Sequence, residues 1–296
     1  MMKKSPLYIK FLALSLLLLT SCVSGCASTA GKEVAPKELF PRHAFVQVQQ
    51  FVEVEGCGKD SKTGKEKCQK AVMRYVSSGA YVFHSEVSQD TSYVLTAGHS
   101  CESKIPKSQM IEGFRIQNKG SKFKAIDLNG FKHDARVIMI NRRFDLCLLQ
   151  VSNVIMNPPT LKLAEKEPLR GETVINMAAP HGLFWPGSVL IFKGQFSGYH
   201  NRGYSVYTIP TKPGSSGSPI INSDNKLVGV IFAGYPRIEN VGLSAPLVAI
   251  KVFLKKGIAK GEMKLWESEN QPKLNTQIDK VWIEKMKLKL NEVFGN

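Results

Sequence analysis

The chain has 296 residues, 43% of them hydrophobic and 22% charged, and a formal net charge of +16 at pH 7. These values are those of a globular protein with one large core or two smaller ones, and no internal repeat or low-complexity domain is present. The positive charge is spread along the whole chain without an arginine-rich helix or a nucleic-acid-binding motif, so it indicates a solvated basic surface rather than a nucleic-acid partner.

The N-terminus has the pattern of an export signal. Two lysines precede an apolar run whose uninterrupted core, residues 11–19, is too short to remain in a bilayer as a spanning helix. The letters LTSC, ending at Cys22, resemble a bacterial lipobox, in which the cysteine is lipidated and becomes the first mature residue. Cys26 is a second candidate, and a plain secretory signal cut near 27–30 is the alternative. Either signal predicts a protein of the bacterial cell envelope, on the periplasmic side or the surface, or a secreted one.

Export changes how the other four cysteines are interpreted, because disulfides persist outside the cytoplasm. Cys57 and Cys68 bracket a polar loop between two strand-like runs and are expected to form a bridge. A metal site is disfavoured there because no histidine or second cysteine pair lies nearby. Cys101 and Cys147 can be paired only by elimination, and buried free thiols are the alternative. We expect no metal and no cofactor.

Short strands follow one another through most of the chain. Residues 45–54 alternate apolar and polar side chains, as in a half-buried strand. Further runs rich in β-branched and aromatic residues lie between Gly, Asn, Asp and Pro turns: 71–76, 79–84, 93–96, 123–128, 135–140, 146–151, 173–178, 189–196, 204–209, 219–221 and 227–232. This succession favours antiparallel barrels or a sandwich over an α/β fold.

Two helices are predicted at the C-terminal end. Residues 245–256 form an apolar run of helical length, and residues 277–294 carry an apolar stripe at spacings of three and four. Glu284 and Glu292 dilute the basic face of the second helix, so we expect it to pack on the protein body rather than on a membrane.

One turn combines a serine with two glycines. Ser216 lies in PGSSGSP, residues 213–219, between two strand-like runs. Gly214 and Gly217 permit a sharp turn with positive φ, which exposes the hydroxyl of Ser216 and can aim the amides of Gly214 and Ser216 at one point. A nucleophile beside two amide donors is what acyl transfer requires.

A candidate base and a candidate acid lie upstream. His99 ends a strand in the letters TAGH, whereas the other five histidines lie in polar or turn segments. Asp145 directly precedes an apolar strand, where a carboxylate is costly to desolvate without a partner. An imidazolium would supply that partner. An aspartate that only caps a turn is the alternative.

Together these stretches resemble a known family. TAGH at His99, DLCLL from Asp145 and GSSGSP around Ser216 resemble the three catalytic blocks of trypsin-like (chymotrypsin-fold) serine endopeptidases of the bacterial type. The resemblance implies an all-β fold of two antiparallel six-stranded β-barrels, followed by C-terminal helices, with the active site between the barrels. It also implies Ser216 as nucleophile, His99 as base and Asp145 as orienting acid. The amides of Gly214 and Ser216 would form the oxyanion hole.

The resemblance, which covers roughly residues 44–256, divides the chain. It predicts a signal peptide over 1–21, a tether over 22–43, a protease domain over 44–256 and a helical C-terminal tail over 257–296.

Departures from the family pattern bear on regulation and specificity. Ser215 stands where animal digestive relatives carry the aspartate that receives a freed N-terminus, so that activation switch cannot operate in that form. Ile231 stands where glutamyl endopeptidases carry a histidine, and residues 209–213 contain no acid. A neutral or apolar residue before the scissile bond (P1) is therefore expected. Four residues are expected to line the substrate site: Thr211, Ile231, Phe232 and Ala233.

The sequence thus predicts an exported serine endopeptidase that acts on proteins or peptides and contacts the membrane through a lipid anchor. A catalytically idle lipoprotein of the same fold, binding a partner or the cell wall, is the alternative. A nucleic-acid or membrane-surface binder would rest on charge alone.

Overall fold

The computed structural model describes residues 39–59, 63–103, 105, 108–111, 114–154, 158–270 and 277–295. The predicted signal peptide, both lipidation candidates (Cys22 and Cys26) and most of the predicted tether lie outside the described residues. Within the described ranges, no helix is both long and apolar enough to cross a membrane.

Strands make up most of the described chain. They are β1 (Phe45–Lys59), β2 (Glu66–His84), β3 (Ser92–Ala97), β4 (Ser108–Ile111), β5 (Phe114–Asp127), β6 (Lys132–Asn141), β7 (Leu146–Ser152), β8 (Thr173–Ala178), β9 (Leu190–Tyr199), β10 (Ser205–Tyr207), β11 (Pro219–Ile221), β12 (Leu227–Gly234) and β13 (Gly242–Ser244). Two α-helices follow, α1 (Leu247–Asn270) and α2 (Gln277–Phe294). Short 3₁₀ turns cover Arg42–Ala44, Gly98–Ser100 and Pro180–Gly182.

The strands close into two antiparallel barrels. The N-terminal barrel has the order β1-β2-β3-β7-β6-β5 and closes through the pairing of β5 with β1, while β4 extends β5 outside the ring. The C-terminal barrel has the order β10-β13-β12-β11-β8-β9. Two closed six-stranded barrels with two C-terminal helices are the predicted fold, which is confirmed.

One apolar core joins the barrels and the helices. It runs from Leu148 in the N-terminal barrel through Ile220 in the C-terminal barrel to Ile258 in α1 and Leu290 in α2. All four side chains are buried. Removing this apolar surface from water holds α2 on the protein body, as expected from its stripe.

Helix α1 is longer than the sequence pattern suggested. It begins at Leu247 and continues to Asn270, so the boundary predicted at residue 256 falls inside it. Gly257 and Gly261 lower helix propensity, which is why the pattern appeared to end there. A Cβ at Gly257 would lie 2.7 Å from Leu148 Cδ2, and one at Gly261 would lie 2.5 Å from Tyr93 Cε1. The glycines therefore let the helix approach the N-terminal barrel closely.

Strand β2 is also longer than expected. The sequence predicts two separate strands here, 71–76 and 79–84, with Ser77 and Ser78 between them. In the structure β2 is continuous and pairs with β1 in an unbroken register from Phe45 opposite Ala80 to Lys59 opposite Glu66. The two strands form a long hairpin that extends beyond the barrel.

Candidate active site

His99 lies in the 3₁₀ turn that follows β3. Gly98, the residue before it, donates its N–H to Asp145 O at 2.8 Å. A Cβ at Gly98 would lie 2.7 Å from Asp145 Oδ1, so only glycine allows the two segments to come this close. The glycine of the TAGH stretch is thus explained by the close approach of the Asp145 segment.

Asp145 holds His99 through both carboxylate oxygens. Oδ1 accepts the His99 backbone N–H at 2.6 Å, and Oδ2 lies 2.6 Å from His99 Nδ1. Asp145 has a φ of 51°, in the left-handed region that few non-glycine residues adopt. Such a conformation persists only where surrounding contacts enforce it, and it occurs preferentially at functional sites.

Ser216 completes the line of side chains. Its Oγ lies 2.9 Å from His99 Nε2. When Nδ1 carries a proton and donates it to Asp145, Nε2 is the ring nitrogen that can accept the serine O–H. The structure therefore brings the three residues singled out in the sequence into one hydrogen-bonded chain.

Two glycines shape the serine turn. Gly214 has a φ of +94°, and a Cβ there would lie 2.5 Å from Ala179 O. Gly217 has a φ of +86°, and a Cβ there would lie 2.0 Å from Ser78 O. Because both contacts are to backbone atoms, neither position can take a larger residue without moving the turn.

Strand β2 of the other barrel fixes the same turn. Ser78 N–H donates to Ser216 O at 2.8 Å, and Ser78 Oγ donates to Gly214 O at 2.9 Å. The sequence does not predict this role of Ser78. The only local signal is a small polar residue next to Gly79, at the start of the apolar run 79–84.

The backbone N–H groups of Gly214 and Ser216 are available to bind an oxyanion. Neither has a hydrogen-bond partner among the residues that the structure describes. The preceding carbonyl, Pro213 O, accepts the His181 N–H at 2.5 Å. Because a trans peptide is planar with its C=O and N–H opposed, holding Pro213 O toward His181 turns the Gly214 N–H away from it.

His181 is another residue whose role the sequence does not predict, since it has the pattern of an ordinary turn histidine. Its φ is 53°, between Pro180 and Gly182. These neighbours mark a tight turn in the sequence, but the sequence does not reveal that the turn contacts Pro213. His181, His99 and Ser216 line a common cavity of about 300 Å³.

One of the four residues expected to line the substrate site, Ile231, contacts the serine turn. Ile231 is buried, and its carbonyl accepts the Gly217 N–H at 2.6 Å. Thr211, Phe232 and Ala233 are partly exposed. Phe232 packs edge-on against Tyr204, with ring centroids 5.0 Å apart.

The side chain of Thr211 lies close to the backbone of strands β12 and β13. A Cβ at Gly234 would lie 2.3 Å from Thr211 Oγ1, and one at Gly242 would lie 3.1 Å from Thr211 Cγ2. A Cβ at Gly242 would also lie 2.7 Å from Ile231 Cδ1. The side chains of Thr211 and Ile231 therefore lie close to the glycines of these two strands.

Both expected cysteine pairs are disulfides, Cys57–Cys68 and Cys101–Cys147. Cys57, Cys68 and the carboxylate of Glu66 have ligand-type atoms close together, but sulfurs joined in a disulfide are not thiolates and do not bind a metal ion. The second bridge joins the segment after His99 to strand β7.

A family model described as "Trypsin-like peptidase domain" matches residues 77–230. The chain belongs to this family. The enzyme class expected from the sequence, a serine endopeptidase, is confirmed at this level. The match includes all three of His99, Asp145 and Ser216 within its bounds.

Two curated relatives share parts of this peptidase domain. "Protease Do-like 4, mitochondrial" of Arabidopsis thaliana is 32% identical over 133 residues, which are 42% of this chain and 25% of that protein. "Serine protease Do-like HtrA" of Bacillus subtilis (strain 168) is 25% identical over 194 residues, which are 60% of this chain and 42% of that protein. The chain thus aligns with well under two thirds of the length of either relative.

A solved structure has the same fold. The serine endoprotease from Yersinia pestis aligns with a TM-score of 0.51 at 18% sequence identity, covering 74% of this chain and 64% of that one. At this identity the likeness concerns the arrangement of the barrels.

Proposed function

We propose that this trypsin-like peptidase is an exported endopeptidase that hydrolyses peptide bonds of proteins or peptides through His99, Asp145 and Ser216. The observation that carries the proposal is the continuous line from Asp145 Oδ2 to His99 Nδ1 (2.6 Å) and from His99 Nε2 to Ser216 Oγ (2.9 Å). Both distances are short enough for the hydrogen bonds that proton transfer needs.

The reaction proceeds through an acyl-enzyme. Ser216 Oγ attacks the scissile carbonyl carbon while His99 Nε2 takes the hydroxyl proton, and Asp145 stabilises the imidazolium that forms. Nε2 then gives this proton to the nitrogen of the leaving amine, and the C–N bond breaks. A water molecule attacks the ester, again with His99 as base, and releases the acid product and free Ser216.

The oxyanion hole consists of the Gly214 and Ser216 N–H groups, which have no other partner among the described residues. Donors fixed in place before the reaction stabilise the developing negative charge without reorganisation. The hydrogen bond from His181 N–H to Pro213 O supplies this fixation for the Gly214 amide. His181 is thus a positioning residue for the oxyanion hole.

The P1 residue is neutral or apolar. The region beside the serine turn is narrowed by Thr211 and by the side chain of Ile231, and it offers hydroxyl and methyl groups. A charged P1 side chain would be desolvated there without a partner of opposite charge. We therefore expect cleavage after small or medium neutral residues.

The site of action is the bacterial cell envelope or the medium, with Cys22 (or Cys26) lipidated. The apolar segment with its lipobox-like end supports this, as do the two disulfides, which are typical of oxidising compartments. Intact-mass measurement of the mature protein tests it: diacylglycerol on Cys22 supports anchoring, and a free N-terminus after 27–30 contradicts it.

Labelling with a serine-reactive fluorophosphonate tests the chemistry. The folded mature protein should form one adduct, mapped by peptide mass to Ser216, and His99→Ala should abolish it. Ser197→Ala, an exposed serine on β9, serves as the matched control and should label fully. Failure of correctly folded protein to label would overturn the proposed reaction.

A further inference from the structure

The outer part of strand β2 has one open edge. Strand β1 pairs with one side of β2 from Glu66 to Ala80, whereas β3 pairs with the other side only from Gly79 onward. Among the described residues, no strand pairs with that other side between Cys68 and Ser77, and no backbone hydrogen bond is made there by Lys70, Val72, Arg74 or Val76. An unpaired edge of this length is a template for an additional strand.

The register shows which backbone groups are free. Ser78 points its N–H away from β1, since it donates to Ser216 O. Outward and inward groups alternate along an antiparallel strand, and the pairing of β1 with β2 has no bulge. The outward N–H and C=O groups therefore belong to Val76, Arg74, Val72 and Lys70.

The edge leads directly out of the active site. Arg74 and Val76 line the cavity that also contains His99 and Ser216. Three of the residues proposed to receive the acyl half of a substrate lie on β12, so we expect the leaving-group half to exit the cavity over Val76 and Arg74 and to run antiparallel to β2 toward Lys70. Its residues about four and about eight positions beyond the scissile bond would lie near Arg74 and Lys70.

Two side chains along this edge, Lys70 and Arg74, are basic, and Lys70 also lies close enough to Glu53 and Glu55 to help lower the pKa of both carboxyls. Lys70 and Arg74 make no ion pair with any described residue. The acids nearest to Lys70 on β1 have their own partners, Glu53 with Lys122 and Glu55 with Lys119, each at 2.7 Å. The edge therefore presents positive charge to whatever pairs with it.

We propose that the β2 edge from Lys70 to Val76 binds the leaving-group half of extended substrates as an added strand and selects acidic residues in it. This rests on the proposed endopeptidase function and adds a substrate class to it. A second copy of this chain is a poorer occupant, because antiparallel pairing of two such edges would bring Lys70 and Arg74 against like charges.

Cleavage of matched peptides tests the charge selection. Two quenched fluorescent peptides share the sequence up to the scissile bond and differ beyond it, one with Glu and one with Gln at about the fourth and eighth positions. We expect kcat/KM to be about 3- to 20-fold higher for the Glu peptide and the preference to shrink as salt rises. K70E/R74E should abolish the preference. The control K166E/K193E, two exposed lysines elsewhere, should retain it.

A proline in the edge tests strand addition separately from charge. The Val72 N–H points outward, so Val72→Pro removes a free donor without breaking the β1–β2 ladder, and its side chain is 62% exposed. We expect this variant to lose the advantage of long over short leaving groups while it cleaves short peptides normally. Equal cleavage of long peptides by Val72→Pro and the parent would overturn strand addition.

Binding without turnover separates this proposal from the function on which it rests. Fluorescence anisotropy of the labelled Glu peptide on Ser216→Ala protein should show binding that K70E/R74E weakens about 3- to 20-fold.

Cleavage with no difference between the Glu and Gln peptides would overturn the docking edge and leave the endopeptidase in place. Charge-dependent binding by a protein that never cleaves would support the edge and overturn the endopeptidase. Concentration-dependent dimerisation that Val72→Pro abolishes would assign the edge to a second copy and overturn the proposal.

Discussion

The N-terminal barrel carries the proposed base and acid at the ends of two neighbouring strands, whereas the C-terminal barrel carries the proposed nucleophile on a turn. His99 follows β3 and Asp145 precedes β7, and these strands pair from Ala97 opposite Leu146 onward. The Cys101–Cys147 disulfide joins the same two segments. The base and acid are therefore held by a sheet and a covalent bond.

The serine turn depends on contacts of another kind. Gly214 and Gly217 fit against backbone atoms of other segments, and Ser78 of the N-terminal barrel binds both Ser216 and Gly214. The C-terminal barrel holds the same turn through the hydrogen bond from Gly217 N–H to Ile231 O. The comparison shows that His99 and Asp145 are positioned within one barrel, whereas Ser216 is positioned by contacts from both barrels.

Removal of the nucleophile should give the largest effect. Ser216→Ala should lower kcat by about 10⁵- to 10⁶-fold, because no other side chain can form the acyl-enzyme. The melting temperature should match that of the control Ser197→Ala, since the hydroxyl contributes no core packing. Substantial residual turnover of a peptide substrate would show that the turn does not carry the nucleophile.

Loss of the acid tests the N-terminal half. Asp145→Asn keeps the shape but cannot hold the Nδ1–H tautomer of His99, so kcat should fall about 10⁴-fold. Asp134→Asn, an exposed carboxylate on β6, is the control and should be fully active. A loss below about tenfold would mean that Asp145 only caps its turn.

The shape of the serine turn can be tested at Gly214. Gly214→Ala places a Cβ 2.5 Å from Ala179 O and should displace one oxyanion donor, lowering kcat by about 10²- to 10³-fold. Gly203→Ala has a similar positive φ of +80° but nothing within 4 Å of the new Cβ. It therefore reports the backbone cost alone, and an equal loss in both variants would contradict the steric account.

The two disulfides should differ in what they protect. In the chain-entropy model, loss of Cys101–Cys147 costs about 4 kcal/mol of unfolding free energy and loss of Cys57–Cys68 about 3 kcal/mol, because the first closes the longer loop. Paired Cys→Ala variants, unfolded in urea, provide the comparison. Only the first pair should also reduce kcat, since it lies beside His99. Reduced kcat on loss of Cys57–Cys68 alone would break this distinction.

The smallest predicted effect concerns helix α1, which packs on the N-terminal barrel. Glu262 is fully buried, and Tyr93 OH donates to its carboxylate at 2.8 Å. Burial raises the pKa of Glu262 above its ordinary value of 4.5. The folded protein then binds this proton more tightly than the unfolded chain, so the group destabilises the fold as pH rises from about 4.5 upward.

Glu262→Gln removes that dependence. Relative to the variant, the parent protein should lose on the order of 1 kcal/mol of unfolding free energy between pH 4.5 and 8. Glu267→Gln, an exposed residue of the same helix, should run parallel to the parent across this range. Identical pH profiles for the parent and Glu262→Gln would refute the assignment.

The sequence by itself determined the fold class and the enzyme class, and it singled out three residues, His99, Asp145 and Ser216, that the structure brings together. Alternating apolar residues indicate which face of a strand is buried. The histidine, the aspartate and the serine occur in the order of the family, and the small residues next to the histidine and the serine indicate that other segments approach them closely. The cysteine pair at 57 and 68 also followed from the polar loop between two strands. These are local signals, and a local signal can be interpreted without knowing which distant residues the segment contacts in the fold.

Only the tertiary structure decided how far β2 and α1 extend, what Ser78 and His181 contact, and which strand edge remains open. Gly257 and Gly261 weaken a helix in isolation, but packing against Leu148 and Tyr93 offsets that cost. Hydrogen bonds such as that from His181 to Pro213 join residues far apart in the chain. No pattern within either segment encodes them, because their energy arises only when distant segments of the chain meet in the fold.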